Sequence, residues 1–416
     1  MAPRSLLLIL VAVTGACSQP KQPANRLAPA AVSCDVATGP SSVEPSPTAD
    51  DFVRRGSEYV RLSRVSSAPD LYRNAEACVA EALTRQPAAP AALRLRGLVL
   101  MNDHAFTQAR DLAAQMLERD PNDALTWGTK SDAELELGDT ADAIASAQRM
   151  LDLKPNLPAY GRAAHLRWLQ GDISGAKRLY ELAIASGTGA RDPEPRAWMI
   201  VQAAWLFWHE GDYKGAAAGF ELARTNLPEY APALEGLGRT ALAAGDYRAA
   251  TTWLERARKA RSSIETTGWL GDAYSLLGKR DRAQGLYAEV ERDGRKHDPR
   301  TLAAFYTSHD REPAAALALA TAEYALRKDV TSKEVLAFAL YRNGRLEEAN
   351  RLAHAVVATG ILDARALYQA GLIQTAAASN DVERQAGRAL MQDAFRRNPG
   401  FDRILTGQPN SPLARR

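Results

Sequence analysis

Three prolines, Pro87, Pro121 and Pro155, stand 34 residues apart, and each closes an amphipathic stretch: "LTRQP", "LERDP" and "LDLKP". A second marker, Gly followed by Asp or a basic residue, recurs at Gly138, Gly171, Gly211, Gly245, Gly278 and Gly344. Its gaps are 33, 40, 34, 33 and 66. The last is twice 33, so a unit with a degraded turn, "SHDREP", lies inside it; the gap of 40 marks an insertion at about 186–196. Gly between two helices supplies the positive φ that a tight helix end requires. Pro half a unit later stops the second helix and sets the start of the next. Small residues recur where paired helices must cross closely: Ala109, Ala143, Ala176, Ala216, Ala250, Ala283 and Ala349.

This unit resembles the tetratricopeptide repeat, a helix–turn–helix of 34 residues. "WLGDAY" (Trp269–Tyr274) carries its L-G-x-x-Y, and "LEGLGRTALAAGDYRAATTWLERA" is a second clear match. Trp127 keeps the early Trp, although Lys130 and Ser131 replace the Leu-Gly. About ten units occupy residues 56–401. Each hairpin buries its apolar stripe only against its neighbours, so the expected fold is one all-α solenoid. The resemblance implies a right-handed superhelix whose first helices line the inner wall. Residues 402–416 are too few for another pair and are expected to form a tail or partial cap.

The amino terminus reads "MAPRSLLLILVAVTGACSQP", with Arg4, an apolar run from Leu6 to Val13, then small residues. The run is too short to span a bilayer and has the layout of a cleaved secretory signal over residues 1–16. "VTGAC" resembles the lipobox of bacterial lipoproteins, with Thr14 where Leu is commonest; an ordinary signal cut near Ala16 is the alternative. The resemblance implies that Cys17 becomes the lipid-modified first residue, and Ser18 resembles the outer-membrane sorting pattern. The expected location is therefore the bacterial cell envelope, lipid-anchored on the periplasmic face of the outer membrane. A diacylglyceryl group supplies the two chains that stable anchoring needs. Residues 17–55, rich in Pro, Ser and Ala, lack apolar periodicity and are expected to be a flexible tether. Cys34 and Cys78 are candidates for a disulfide in an oxidising compartment; the alternative is two free thiols.

Nothing in the sequence assembles catalysis. The six histidines are scattered, and "HEGDY" at His209 breaks the zinc-protease pattern. No G-x-S-x-G, P-loop or G-x-G-x-x-G occurs, and Glu134 and Glu136 point to different sides of a helix. No cofactor or metal is expected. The net charge of +3, with both signs interleaved, argues against nucleic acid as a partner.

"AWMIVQAAWLFWHEGDY" (Ala197–Tyr213) departs from the pattern. At 100° per residue, Ile200, Ala203, Ala204 and Phe207 form the repeat's packing face. Trp198, Val201, Trp205, Trp208 and His209 form a second stripe on the opposite side. The resemblance places that stripe, with His165 and Trp168 of the preceding unit, in a concave ligand groove. Three exposed indoles would approach the largest apolar patch a monomer tolerates, about 300–600 Å². Three coverings are open: a partner segment, tight superhelical curvature or the 186–196 insertion, and the chain's own Pro-rich leader. Inner positions elsewhere are mixed, with Glu235, Arg239 and Asp272; Phe338 and Tyr341 are candidates for a weaker second contact. The function expected is a non-catalytic scaffold that binds a protein or peptide segment in this groove. The alternatives are an accessory subunit orienting a cell-wall or exopolysaccharide enzyme, and a passive spacer.

Overall fold

The period of 34 residues is realised as helical hairpins stacked in chain order. The structure, a computed structural model, describes residues 33–34, 47–64, 71–187 and 192–407. The expected signal, Cys17 and most of the expected tether lie outside the described residues. Among the described residues there are twenty-one helices and no strand. The first five hairpins are α1 (Ala49–Ser63) with α2 (Leu71–Arg85), α3 (Pro90–Asn102) with α4 (Phe106–Arg119), α5 (Ala124–Leu137) with α6 (Thr140–Leu153), α7 (Leu157–Leu169) with α8 (Ile173–Ser186), and α9 (Glu194–His209) with α10 (Tyr213–Ala223). Then follow α11 (Ala231–Ala244) with α12 (Tyr247–Ala260), α13 (Ile264–Leu276) with α14 (Arg280–His297), and α15 (Pro299–Ser308) with α16 (Pro313–Leu326). The last two hairpins are α17 (Val330–Arg342) with α18 (Leu346–Val357) and α19 (Ala364–Ala377) with α20 (Asp381–Arg397), closed by the short α21 (Arg403–Thr406).

The turn inside eight of the ten hairpins carries a left-handed residue, in six of them the Gly marker. Gly138, Gly171, Gly211, Gly245, Gly278 and Gly344 all have positive φ. Where the marker is missing, another residue adopts the conformation: His104 at 57° in the α3–α4 turn and Asp310 at 53° in the degraded "SHDREP" turn. All seven crossing alanines are buried, and Ala316 fills the same place in the degraded unit.

Two boundaries differ from expectation. The first helix begins at Ala49, inside the stretch expected to be tether. Thr48 and Asp51 form a capping box, in which each side chain accepts from the other's backbone N–H at 3.3 and 2.9 Å. Phe52 is then buried against Ala82 and Ala89, beneath the Arg85 guanidinium at 4.2 Å. The Pro- and Ser-rich composition concealed this cap. Helix α9 likewise opens at Glu194, inside the expected insertion, because Pro195 suits a first helical turn. Cys34 is joined to Cys78 of α2 by a disulfide, with Cα atoms 4.9 Å apart.

The superhelix closes upon itself. Turns at the ends of α5, α7, α9 and α11 touch segments 160 to 192 residues later in the chain. The Lys328 N–H donates to the Glu136 carbonyl at 2.7 Å, and Arg327 pairs with the Glu136 carboxylate at 2.7 Å. Gly171 lies against Gly360, and Gly211 against Arg397. Arg403 Nε donates to the Leu242 and Ala243 carbonyls, both at 3.1 Å. A second turn of hairpins thus sits on the first, and residues from both share one apolar cluster that runs from Ala197 to Leu405.

Candidate functional site

Closure decides the fate of the aromatic stripe. A helix that is apolar all round is a buried helix, and α9 is nearly that. Ile200 and Ala204 are buried on the repeat's packing face; Leu206 is buried against Ala176 and Tyr180. The stripe expected to stand open in a groove is itself mostly covered. Val201 is 1% and Trp208 3% exposed, within the cluster that also holds Ala364, Leu367 and Tyr368 of α19. Asn398 Nδ2 donates to the Trp208 carbonyl at 2.7 Å, and His209 Nδ1 lies 3.0 Å from Asp363. Trp205 is partly buried, edge-on to Phe220 at 5.0 Å. The covering is therefore the chain's own second turn, not a guest.

Six of the seven predicted residues form a continuous set. Centroid distances run 5.6 Å from His165 to Trp168, 5.0 Å to His209, 5.3 Å to Trp208 and 5.6 Å to Trp205. Val201 packs beside them in the core. Phe338 is fully buried, with Tyr341 stacked on it at 5.5 Å, so it offers no open second contact. Glu134 accepts from Ser146 at 2.6 Å while Glu136 reaches Arg327, so the two carboxylates serve separate places.

Trp198 is the exception. It is 41% exposed and lines a cleft of about 840 Å³ together with Tyr72, Leu157, His165, Tyr180, Met199, Tyr230 and Pro232. Charged groups rim the cleft. Arg162 grips Asp132 at 2.7 Å; Tyr230 donates to Glu194 at 2.8 Å, with Arg64 3.9 Å from the same carboxylate. Arg261 also lines the cleft and makes no ion pair among the described residues. Of the predicted site, only Trp198 and His165 belong to this cleft. The other aromatic walls, Tyr72, Tyr180 and Tyr230, come from three units, and no local pattern marks them.

The bore is charged. First helices of successive hairpins bring Arg239, Glu265, Asp272, Arg300, His309 and Arg365 around a chamber of about 130 Å³. Burial pushes the Glu235 carboxyl up to about 7, with Glu265 adding to it. Burial also raises Glu334 to about 7, although Arg365 opposes it. Burial would raise Asp363 as well, but the hydrogen bond to His209 and the charges of His209 and Arg365 outweigh it and hold this carboxyl below the usual range. Folded Glu235 and Glu334 thus keep protons that unfolded glutamates lose near pH 4.5. These two carboxyls bind more protons in the folded than in the unfolded chain between about pH 4.5 and 7, so their contribution to stability falls as pH rises through that window. Glu235→Gln is expected to flatten this fall by roughly one proton's slope in urea titrations at stepped pH. An unchanged slope would show that Glu235 ionises normally in the folded chain.

The tetratricopeptide repeat profile matches residues 70–124 and 106–158. No curated protein matches the sequence. Among solved structures the chain is similar to PilW, a type IV pilus biogenesis factor, at 16% identity and a TM-score of 0.43, over 50% of this chain and 94% of that one. It is similar to a tetratricopeptide repeat protein from Parabacteroides merdae at 14% identity and a TM-score of 0.44, over 62% and 96%. It is also similar to the Cut9–Hcn1 hetero-tetramer of the APC/C at 14% identity and a TM-score of 0.44, over 83% and 59%. Residues 70–158 match the tetratricopeptide repeat family directly, and the hairpins that follow repeat the same helix–turn–helix unit in an all-α solenoid. Domains of this family bind protein or peptide partners and are generally non-catalytic.

Proposed function

We propose that this chain is a non-catalytic scaffold of the bacterial envelope, tethered by lipid at Cys17, that grips a partner protein in the Trp198 cleft. The cleft itself carries the reading: an exposed indole beside Tyr72, Tyr180, Met199 and Tyr230 in a cavity of about 840 Å³. That volume suits a short segment, and pockets of this size are lined by apolar and aromatic groups with a few polar ones. Trp and Tyr are the residues most enriched among binding hot spots. The occupant is an extended peptide segment with one large apolar anchor. An acidic residue beside the anchor fits the rim, because Arg162 and Arg64 already sit against carboxylates while Arg261 makes no ion pair among the described residues.

Trp198→Ala tests the reading cleanly, since an exposed side chain is not needed for folding. A partner recovered from envelope extract by the wild-type chain, and binding it directly when purified, is expected to bind Trp198→Ala about 30-fold or more weakly. Equal binding by both forms removes the cleft from function. Cys17→Ser is expected to move the chain from the membrane to the soluble fraction; unchanged fractionation removes the anchor.

A further inference from the structure

We propose that the bore of the superhelix holds a small oxyanion, of carboxylate or phosphate chemistry, on the guanidinium of Arg239. Arg239 extends from α11 into the chamber, with its guanidinium carbon 4.2 Å from the ring centre of Trp269, 4.5 Å from Trp208 and 5.4 Å from Trp205. Stacking on indoles fixes the plane of a guanidinium and leaves its N–H edge free. Among the described residues no carboxylate pairs with it.

The other charges of the chamber are committed. Arg365 donates to Glu334 at 3.2 Å, and Arg300 lies 3.5 Å from Asp329. Asp272 is held by His309 at 2.7 Å and accepts from Tyr287 at 2.9 Å. Asp402 accepts from the Leu405 N–H at 2.9 Å, and burial raises its carboxyl. Glu265 sits exposed at the rim. Burial, and then the charge of Arg365, push Arg239 below the ordinary arginine value, against the opposing charges of Glu265, Asp402 and Asp363.

A second donor points to the same need. Trp208 is buried, its Nε1 has no hydrogen-bond partner, and it lines a recess of about 40 Å³ that also contains Arg239. A water molecule would satisfy an N–H but not offset a half-buried charge. The chamber, about 130 Å³ and walled by α11, α13, α15, α17 and α19, admits a free small anion rather than a length of chain.

Tryptophan emission reads occupancy, because three indoles surround the guanidinium. The wild-type chain is titrated with sodium phosphate and with sodium acetate, against sodium chloride at equal ionic strength. A saturable change with either oxyanion and not with chloride is expected, and Arg239→Met is expected to weaken it about 10- to 100-fold. Response to phosphate alone assigns a phosphoryl ligand, and response to acetate alone a carboxylate. Arg239→Lys keeps the charge without the planar fork and is expected to weaken binding about 10-fold if the methionine form does not fold. Absence of a saturable response at tens of millimolar overturns the proposal, and so does equal affinity in Arg239→Met. Trp198→Ala is expected to bind the anion normally, which separates this site from the peptide cleft.

Discussion

Trp208→Ala is expected to lower the unfolding free energy by about 3–5 kcal/mol, the cost of truncating a buried aromatic side chain. Trp198→Ala, nearly three turns of helix away on the same face, is expected to change it by no more than about 0.5 kcal/mol. The contrast arises from packing, since both are indoles on one helix. Trp208 lies between the first and second superhelical turns, against Arg239 and under Asn398. Its removal opens a cavity where two layers of hairpins meet. Urea unfolding of the two variants measures both values. A loss below about 1 kcal/mol for Trp208→Ala would mean that the second turn does not rest on α9 in solution.

The second large effect is expected at a glycine. Gly171 has φ of 81°, and a Cβ there would stand 2.3 Å from the Gly360 carbonyl oxygen, which is backbone and cannot turn aside. Gly278 has φ of 74° and nothing within 4 Å. Gly278→Ala therefore measures the left-handed strain alone, about 1–2 kcal/mol. Gly171→Ala carries the same strain and also forces the two superhelical turns apart, for a total of about 3 kcal/mol or more. Equal losses in denaturant would show that the turns do not touch at Gly360. The pair thus isolates closure from local conformation.

How much of this was legible in the residues can be followed element by element. The six Gly markers named six turns, and all six are left-handed. The degraded turn was located from an interval alone, and Asp310 adopts there the backbone that Gly adopts elsewhere. The capping box of Thr48 and Asp51 was also written in the sequence, but a Pro- and Ser-rich surround hid it. Helical spacing marks the stripe on α9, the repeat resemblance adds His165 and Trp168, and the structure brings them together. The stripe's exposure was not found. Periodicity shows that α9 has two apolar stripes, yet it does not say what lies against the second one. Asp363, Asn398 and Arg403 carry no local pattern that ties them to α9 and α11.

The division has a physical cause. Each hairpin is set by its own caps, turns and small crossing residues, and contacts only its neighbours, so a single unit's sequence specifies it. The pitch of the superhelix is instead the sum of small rotations between successive units, and no one residue encodes a sum. The chain therefore declared ten hairpins, their turns and their stacking order by itself. Whether the solenoid stays open or returns to seat Asn398 on Trp208 was decided only by the accumulated geometry, and with it which tryptophan is left facing solvent.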